Sequence, residues 1–259
     1  MKESIFKDLI RILFFPLGST RKIFFGSMQG MRFRVGPITG LSPWYSGTER
    51  AQQAVFKKLI RKGDRVMDIG ANWGLHTLYF SKLVGPEGCV ISVEPLPQVY
   101  DEMRWHIQAN HCANVKPIRI AMGNFDGTEQ FVQGMTFQTG SLSTVYHSNT
   151  SKKRIQVTLR SLDSLVKELN IKSLRLVKID VEGAESEVLN GAKKTIEFLK
   201  PYLMIELHTP QQDVQVAQFL INLNYQFKRV STGPPILKVN KGWPERTGVW
   251  GTILAIPPS

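Results

Sequence analysis

The sequence predicts an α/β protein built on an open, largely parallel sheet, and three observations predict it. Val66-Met67-Asp68-Ile69 is a short apolar run with one acid, and Gly70-Ala71-Asn72-Trp73-Gly74 leads from it into Leu75–Phe80, the start of an amphipathic helix. A strand, a glycine turn and a helix form the ligand-binding joint of such a sheet, where ligands sit beyond the carboxyl ends of the strands. Further apolar runs at Cys89–Val93, Val115–Ile120, Leu174–Ile179 and Leu203–Leu207 alternate with segments of helical period. Two of these runs lead straight into acids, Glu94 and Asp180, at the end where ligands are expected.

The residues at the first joint select the ligand. Gly70 lets the backbone turn without a Cβ clash, and Gly74 lets the helix start lie close to a ligand or a strand. The phosphate-binding pattern G-x-G-x-x-G is absent, because only Gly70 and Gly74 are present, and Asp68 at the strand tip repels a pyrophosphate. S-adenosylmethionine suits an acid there, since it has no phosphate and carries a sulfonium and an ammonium group. Glu94 lies about 20 residues beyond the glycines, where an acid accepts hydrogen bonds from ribose hydroxyls. A solvated strand-end charge is the plain alternative for Glu94, and its pairing with Asp68 favours the ligand role. Asn124, after the third run, is placed to meet an adenine amino group on position alone.

Composition bounds the rest. At 259 residues and 42% hydrophobic, the chain suffices for one sizeable α/β domain with trimmings. Cys89 and Cys112 lack metal-ligand spacing and point to a reducing, cytoplasmic setting. The net charge of +12 favours anionic surroundings without choosing among membrane, nucleic acid and acidic substrate. No run reaches the roughly 20 apolar residues of a membrane span, and Asp8 and Arg11 break the N-terminal apolar stretch, which argues against a secretory signal. Ile5, Phe6, Leu9, Ile10 and Leu13 nevertheless fall at helical spacing beside Lys2, Lys7 and Arg11. Residues 1–18 are therefore expected either to pack on the domain or to lie peripherally on an anionic membrane at its inner face. Met31–Val35 alternates as a strand would, and 36–48 is an ordered loop carrying Trp44 and Tyr45.

A helix is expected over Glu49–Arg61 with Ala54, Val55, Phe56, Leu59 and Ile60 inward, and Glu49 suits its dipole. Residues 126–160 break the strand–helix alternation and read as antiparallel hairpins inserted beside the ligand end, where insertions shape substrate pockets. Leu162–Leu169 is a short helix. Strand period puts Lys178, Asp180 and Glu182 on one side, and a helix follows to about Leu199, with Glu185 explained by its first-turn position. Glu206 and His208 share parity on the fifth strand; helix 211–223 and strands 225–230 and 249–256 complete the order, with 231–248 a loop.

Asp68–Gly74, Glu94-Pro95 and Lys178-Ile-Asp-Val-Glu-Gly-Ala-Glu185, together with Leu162–Leu165 and Met204–His208, resemble the FkbM family of S-adenosylmethionine-dependent methyltransferases over residues 45–256. The resemblance implies a class I methyltransferase (Rossmann-like) fold, a seven-stranded sheet whose final strand is antiparallel. It also implies methyl transfer to a hydroxyl of a sugar, lipid or polyketide-like acceptor. Asp68, Gly70, Asn72, Gly74 and Glu94 match the cofactor motif, Ala71 and Pro95 lie within it, and Glu49 matches an acidic position near the cofactor. Residues 1–45 form an N-terminal extension and 46–259 the methyltransferase domain. A nucleic-acid methyltransferase would fit the charge, but no Asn-Pro-Pro-aromatic motif follows the fourth strand; a non-catalytic module on the same fold is the other alternative. The oligomeric state is open.

A hydroxyl is a poor nucleophile, so its methylation needs a base or a metal. If the fourth and fifth strands are neighbours, Asp180, Glu182 and His208 come together as the catalytic group. His208 taking the proton, with a carboxylate orienting it, is preferred to a divalent metal, because a full set of oxygen ligands is not evident. In the bland alternative, Lys178 pairs with one acid and His208 caps its strand.

Overall fold

In the computed structural model, residues 16–39, 49–133, 140–142, 154–208, 210–230 and 251–258 are described. The expected N-terminal helix, most of the loop before Glu49, the boundary at residues 45 and 46, and the loop 231–248 lie outside them.

A hairpin of β1 (Thr20–Lys22) and β2 (Arg32–Arg34) precedes α1 (Arg50–Leu59). Strand β3 (Arg65–Ile69), α2 (Leu75–Val84), β4 (Cys89–Val93), α3 (Pro97–Ala109) and β5 (Val115–Ile118) form the first half of the main sheet. An insertion contributes β6 (Ala121–Met122), β7 (Gly127–Gln133), β8 (Gly140–Leu142) and β9 (Arg154–Arg160). Then come α4 (Leu162–Glu168), β10 (Leu176–Ile179), α5 (Glu185–Asn190), α6 (Lys193–Leu199), β11 (Tyr202–Leu207), α7 (Pro210–Asn222), β12 (Gln226–Val230) and β13 (Gly251–Ile256).

The main sheet has seven strands in the order β12-β13-β11-β10-β3-β4-β5. The pairs among β11, β10, β3, β4 and β5 are parallel, and β13 runs antiparallel to both β11 and β12. The expected seven-stranded sheet with an antiparallel last strand is present. Alternation along β3 explains the two cores. Met67 and Ile69 face the layer holding α4, α5 and α6, while Val66 faces the layer holding α1, α2 and α3. Burial on both faces is what makes these strands nearly continuous apolar runs.

After β3 the chain builds β4 and β5 on one side, then crosses to add β10 on the other. The joint between β3 and β10 is therefore the point where the strand order reverses, and an open α/β sheet forms its ligand crevice there. Gly70 stands at this joint with φ +75, and a Cβ on it would lie 1.7 Å from the carbonyl oxygen of Asp180. Only glycine lets the two strand ends come this close.

Four local expectations are corrected. The helix over 185–199 is two helices, because Gly191 packs on Gly123, where a Cβ would lie 2.0 Å from the Gly123 carbonyl oxygen. The carboxylate of Asp163 in α4 then accepts the backbone N–H groups of Lys194 (3.1 Å) and Thr195 (2.7 Å), capping α6. On α1, Gln53 rather than Ala54 is buried, since its side chain accepts a hydrogen bond from Ser27 and its carbonyl one from Tyr79 at 3.2 Å. The third strand stops at Ile118, and Ala121–Met122 joins the insertion instead. In that insertion β7 pairs antiparallel with both β8 and β9, as hairpins would, but β6 pairs parallel with β9.

The β1–β2 hairpin shares the core of the α1–α3 layer through Ile23, Met28 and Phe33. Arg34 pairs with Glu102 of α3, and the Arg32 N–H donates to Asn110 at 2.7 Å.

Candidate active site

At the carboxyl ends of β3, β4 and β10 a pocket opens. Glu94, Pro95 and Leu96 form one wall, Gly70 and Asn72 the floor, and Asp180 and Glu182 the opposite wall. Met122 and Phe131 of the insertion close it from the side.

The Glu94 wall is built by backbone donors. Asn72, held at φ +51, donates its N–H to Oε2 (3.0 Å), and the Leu96 N–H donates to Oε1 (2.9 Å). Burial nonetheless pushes the Glu94 carboxyl up to about 7, against the pull of those two bonds. A carboxylate fixed this way, at a pocket wall, still has lone pairs for two hydroxyl donors.

Asp68 is placed differently from expectation. Its side chain is fully buried and turned toward α2, where the Thr77 hydroxyl donates to Oδ2 at 2.7 Å. Strand register puts Lys178 directly opposite, and its Nζ lies 3.7 Å from Asp68 Oδ1 and 3.0 Å from Asp180 Oδ2. Asp68 is not a pocket-lining residue, because position 68 points to the α2 face and the pocket opens beyond Ile69. It holds the lysine that holds Asp180. Burial alone would lower the Lys178 ammonium, but Asp180 and Asp68 outweigh it and keep Lys178 charged.

Other expected cofactor residues divide similarly. Ala71 points its methyl into the core and its N–H bonds to the Val93 carbonyl at 2.9 Å. Gly74 has φ +94, and a Cβ there would meet Met103 of α3 at 3.0 Å, so its neighbour is a helix and not the pocket. Asn124 is exposed and is not among the pocket-lining residues; Ile120, Ala121 and Met122 are. Glu49 is the N-cap of α1, yet its carboxylate does not cap the helix. Its Oε2 lies 3.6 Å from His76 Nε2 and finds no hydrogen-bond partner among the described residues. Burial drives the Glu49 carboxyl up to about 7 and the His76 imidazole down to about 3, so the two do not form a charged pair at neutral pH.

Asp180, Glu182 and His208 do come together. Strands β10 and β11 are parallel neighbours, which places the ends of both on one side of the crevice. His208 Nε2 lies 3.6 Å from Asp180 Oδ1 and 3.8 Å from Glu182 Oε2. Its Nδ1 lies 2.8 Å from Oε1 of Glu185, which also accepts the Gly183 N–H at 3.0 Å. Glu185 was to be explained by its place in a first helical turn; it is fully buried and is the partner of this imidazole. Burial alone would lower the His208 pKa, but the bond to Glu185 and the charges of Glu185, Asp180 and Glu182 raise it to about 9. The three acids around the ring thus favour its protonated form. Ligand atoms of Asp180, Glu182 and His208 all lie within 4.8 Å of one another, close enough to share a cation.

S-adenosylmethionine fits these residues. It brings hydroxyl donors for Glu94, and Gly70 keeps the crevice floor bare. Sequence reasoning missed Glu185, Leu96 and Phe131. The alternation over Glu129–Gln133 was the available signal for Phe131; for Glu185 only its spacing from His208 in three dimensions reveals the role.

Residues 68–227 match the model of the methyltransferase FkbM domain, more than half of the chain. The chain is 24% identical to the hexuronic acid methyltransferase AglP of Haloferax volcanii, over 73% of this chain and 75% of that protein. It is 28% identical to the 2-O-methyltransferase NoeI of Sinorhizobium fredii, over 71% and 83% respectively. Its fold is that of the methyltransferase FkbM structure from Methylobacillus flagellatus, with a TM-score of 0.51 and 18% identity; the match covers 83% of this chain and half of that one. The strand order, the pocket at its reversal point and the matched domain converge: the chain belongs to the FkbM family and is an S-adenosylmethionine-dependent methyltransferase.

Proposed function

We propose that this enzyme methylates a hydroxyl oxygen of a small-molecule acceptor of glycan or natural-product type. One observation carries the reading: a single pocket has Glu94 on one wall and Asp180 and Glu182 on the other. The first wall suits the cofactor's ribose, and the second meets an acceptor beside the methyl group. S-adenosylmethionine supplies an electrophilic methyl carbon on sulfur. An acceptor hydroxyl attacking that carbon forms a C–O bond while the carbon–sulfur pair returns to sulfur, and its proton must leave. Asp180, Glu182 and His208 are the groups that take up or displace it. The names of AglP and NoeI, which speak of a hexuronic acid and of a 2-O position, support a sugar hydroxyl.

The test is a panel of uronic acids, neutral hexosides and polyketide alcohols, assayed for S-adenosylhomocysteine release and for the methylated product. Turnover should require the free hydroxyl and vanish with its methyl ether. Methylation of nitrogen, or of nucleic acid in preference to every hydroxyl, would overturn the reading.

We also infer peripheral contact with anionic lipid, supported by the hairpin turn. Phe24 and Phe25 are 67% and 86% exposed there, between Lys22 and Arg32. Lys82 at the end of α2 donates to the Ser27 carbonyl at 2.9 Å, so the turn sits at the end of the sheet away from the pocket. A surface held at this turn leaves the pocket facing solution, which favours a soluble acceptor over a lipid-linked one. Flotation with phosphatidylglycerol vesicles should show salt-sensitive binding that Phe24→Ser and Phe25→Ser weaken; equal recovery of this double variant and the parent would remove the inference.

A further inference from the structure

We propose that Asp180, Glu182 and His208 form a binding site for a divalent cation of the manganese or magnesium class, with Glu185 anchoring the imidazole. The three donors arrive from two pieces of chain: the segment just after β10 supplies Asp180 and Glu182, and the residue just after β11 supplies His208. Their separations of 3.6 and 3.8 Å from His208 Nε2, all within 4.8 Å, are too long for hydrogen bonds. They fit a shared ion. Donors about 2.1 Å from an octahedral cation stand roughly 3.0 Å apart when adjacent and roughly 4.2 Å apart when opposite.

The imidazole is presented as a ligand. Nδ1 is taken by Glu185 at 2.8 Å, a carboxylate with no solvent exposure, and this fixes the ring so that Nε2 points at Asp180 and Glu182. A metal-bound histidine is held in this way, its second nitrogen bonded to a carboxylate that orients the ring and raises its basicity. Asp180 and Glu182 both face Nε2, and the ammonium nearest them, that of Lys178, is already committed to Asp180 and Asp68. Two carboxylates and one imidazole leave positions for water and for an acceptor oxygen, which suits a hard cation with exchangeable sites. Asp180 and Glu182 also line the pocket, so an ion there lies beside the methyl-transfer site and lowers the pKa of an acceptor hydroxyl bound to it. That last role rests on the function proposed above; cation binding does not.

The experiment is titration of the full-length, cofactor-free protein with MnCl₂, followed by electron paramagnetic resonance of free Mn²⁺ and by calorimetry. One site should appear, with affinity reduced ten-fold or more in His208→Ala and in Glu182→Gln. Glu182 is partly exposed, so Glu182→Gln keeps the test valid should His208→Ala not fold. Absence of stoichiometric binding, or equal binding in the parent and both variants, would overturn the site. Stoichiometric binding together with no hydroxyl acceptor in the panel leaves the cation site standing and the acceptor reading fallen. Methylation at an unchanged rate in EDTA, with no Mn²⁺ bound, does the reverse.

Discussion

Nδ1 of His208 and Oε1 of Glu185 stand 2.8 Å apart although one closes a strand and the other opens a helix. The carboxylate is fully buried and its second oxygen has no hydrogen-bond partner among the described residues, so His208 and the Gly183 N–H are what compensate its burial. Removing one partner of a buried charge-assisted bond costs about 1.5–3 kcal/mol. Glu185→Ala should lower unfolding stability by that amount in urea denaturation. Glu185→Gln keeps an acceptor oxygen and should recover part of the loss; equal losses in the two variants would mean that the bond does not hold the imidazole.

Glu94 is expected to trade stability for cofactor binding. Its carboxyl titrates at about 7 in the folded chain against an ordinary 4.5. A raised folded value means that stability is fully present below the unfolded pKa and is lost as pH rises through the folded one. The loss is at most about 3 kcal/mol. Relative to the parent, Glu94→Gln should therefore gain stability between pH 5 and pH 8 in the absence of cofactor. The same variant should bind S-adenosylmethionine ten-fold or more weakly, because hydrogen bonds to a charged acceptor contribute about 1.5–3 kcal/mol. Calorimetry and denaturation at the two pH values measure both, and an unchanged affinity would remove Glu94 from the cofactor wall.

The two glycines of the first joint should respond unequally. Both have positive φ, which costs an alanine about 1–2 kcal/mol. At Gly70 the added methyl would also lie 1.7 Å from a backbone carbonyl, whereas at Gly74 it meets the flexible Met103 side chain at 3.0 Å. Gly70→Ala should displace the end of β10 and abolish cofactor binding. Gly74→Ala should fold, with a lower melting temperature and measurable affinity. Equal affinity in the two variants would contradict the close approach of β3 and β10.

Asp163 receives two backbone N–H groups of α6 from another helix. Asp163→Ala should cost about 0.5–2 kcal/mol, the range for a lost helix cap. Hydrogen exchange should show the loss as faster exchange at Lys194 and Thr195, with the amides of β3 unaffected.

What could be read from residues alone was whatever depends on chain-local pattern. The apolar runs gave β3, β4, β10 and β11 because strands buried on both faces tolerate little else, and the acids Glu94 and Asp180 marked the ligand end because a charge there needs a use. What could not be read was direction in space. Asp68 and Glu94 look equivalent in the sequence, yet one turns toward α2 and the other into the pocket. Glu185 had an adequate local explanation, and only β11 beside α5 shows the better one. The break at Gly191 had a local signal in Asn190-Gly191, and the close approach of Gly123, nearly 70 residues earlier, shows why no side chain fits there.

Phe131 belongs to the insertion but walls the pocket that holds Glu94. The insertion is therefore not a detachable module. A chimaera that exchanged residues 127–160 for those of a relative, in order to alter the acceptor, would also exchange part of the cofactor's enclosure. Its affinity for S-adenosylmethionine would become hostage to the side chain arriving at position 131. Re-targeting this enzyme calls for grafts that keep β7 through Phe131 and vary only the chain beyond it.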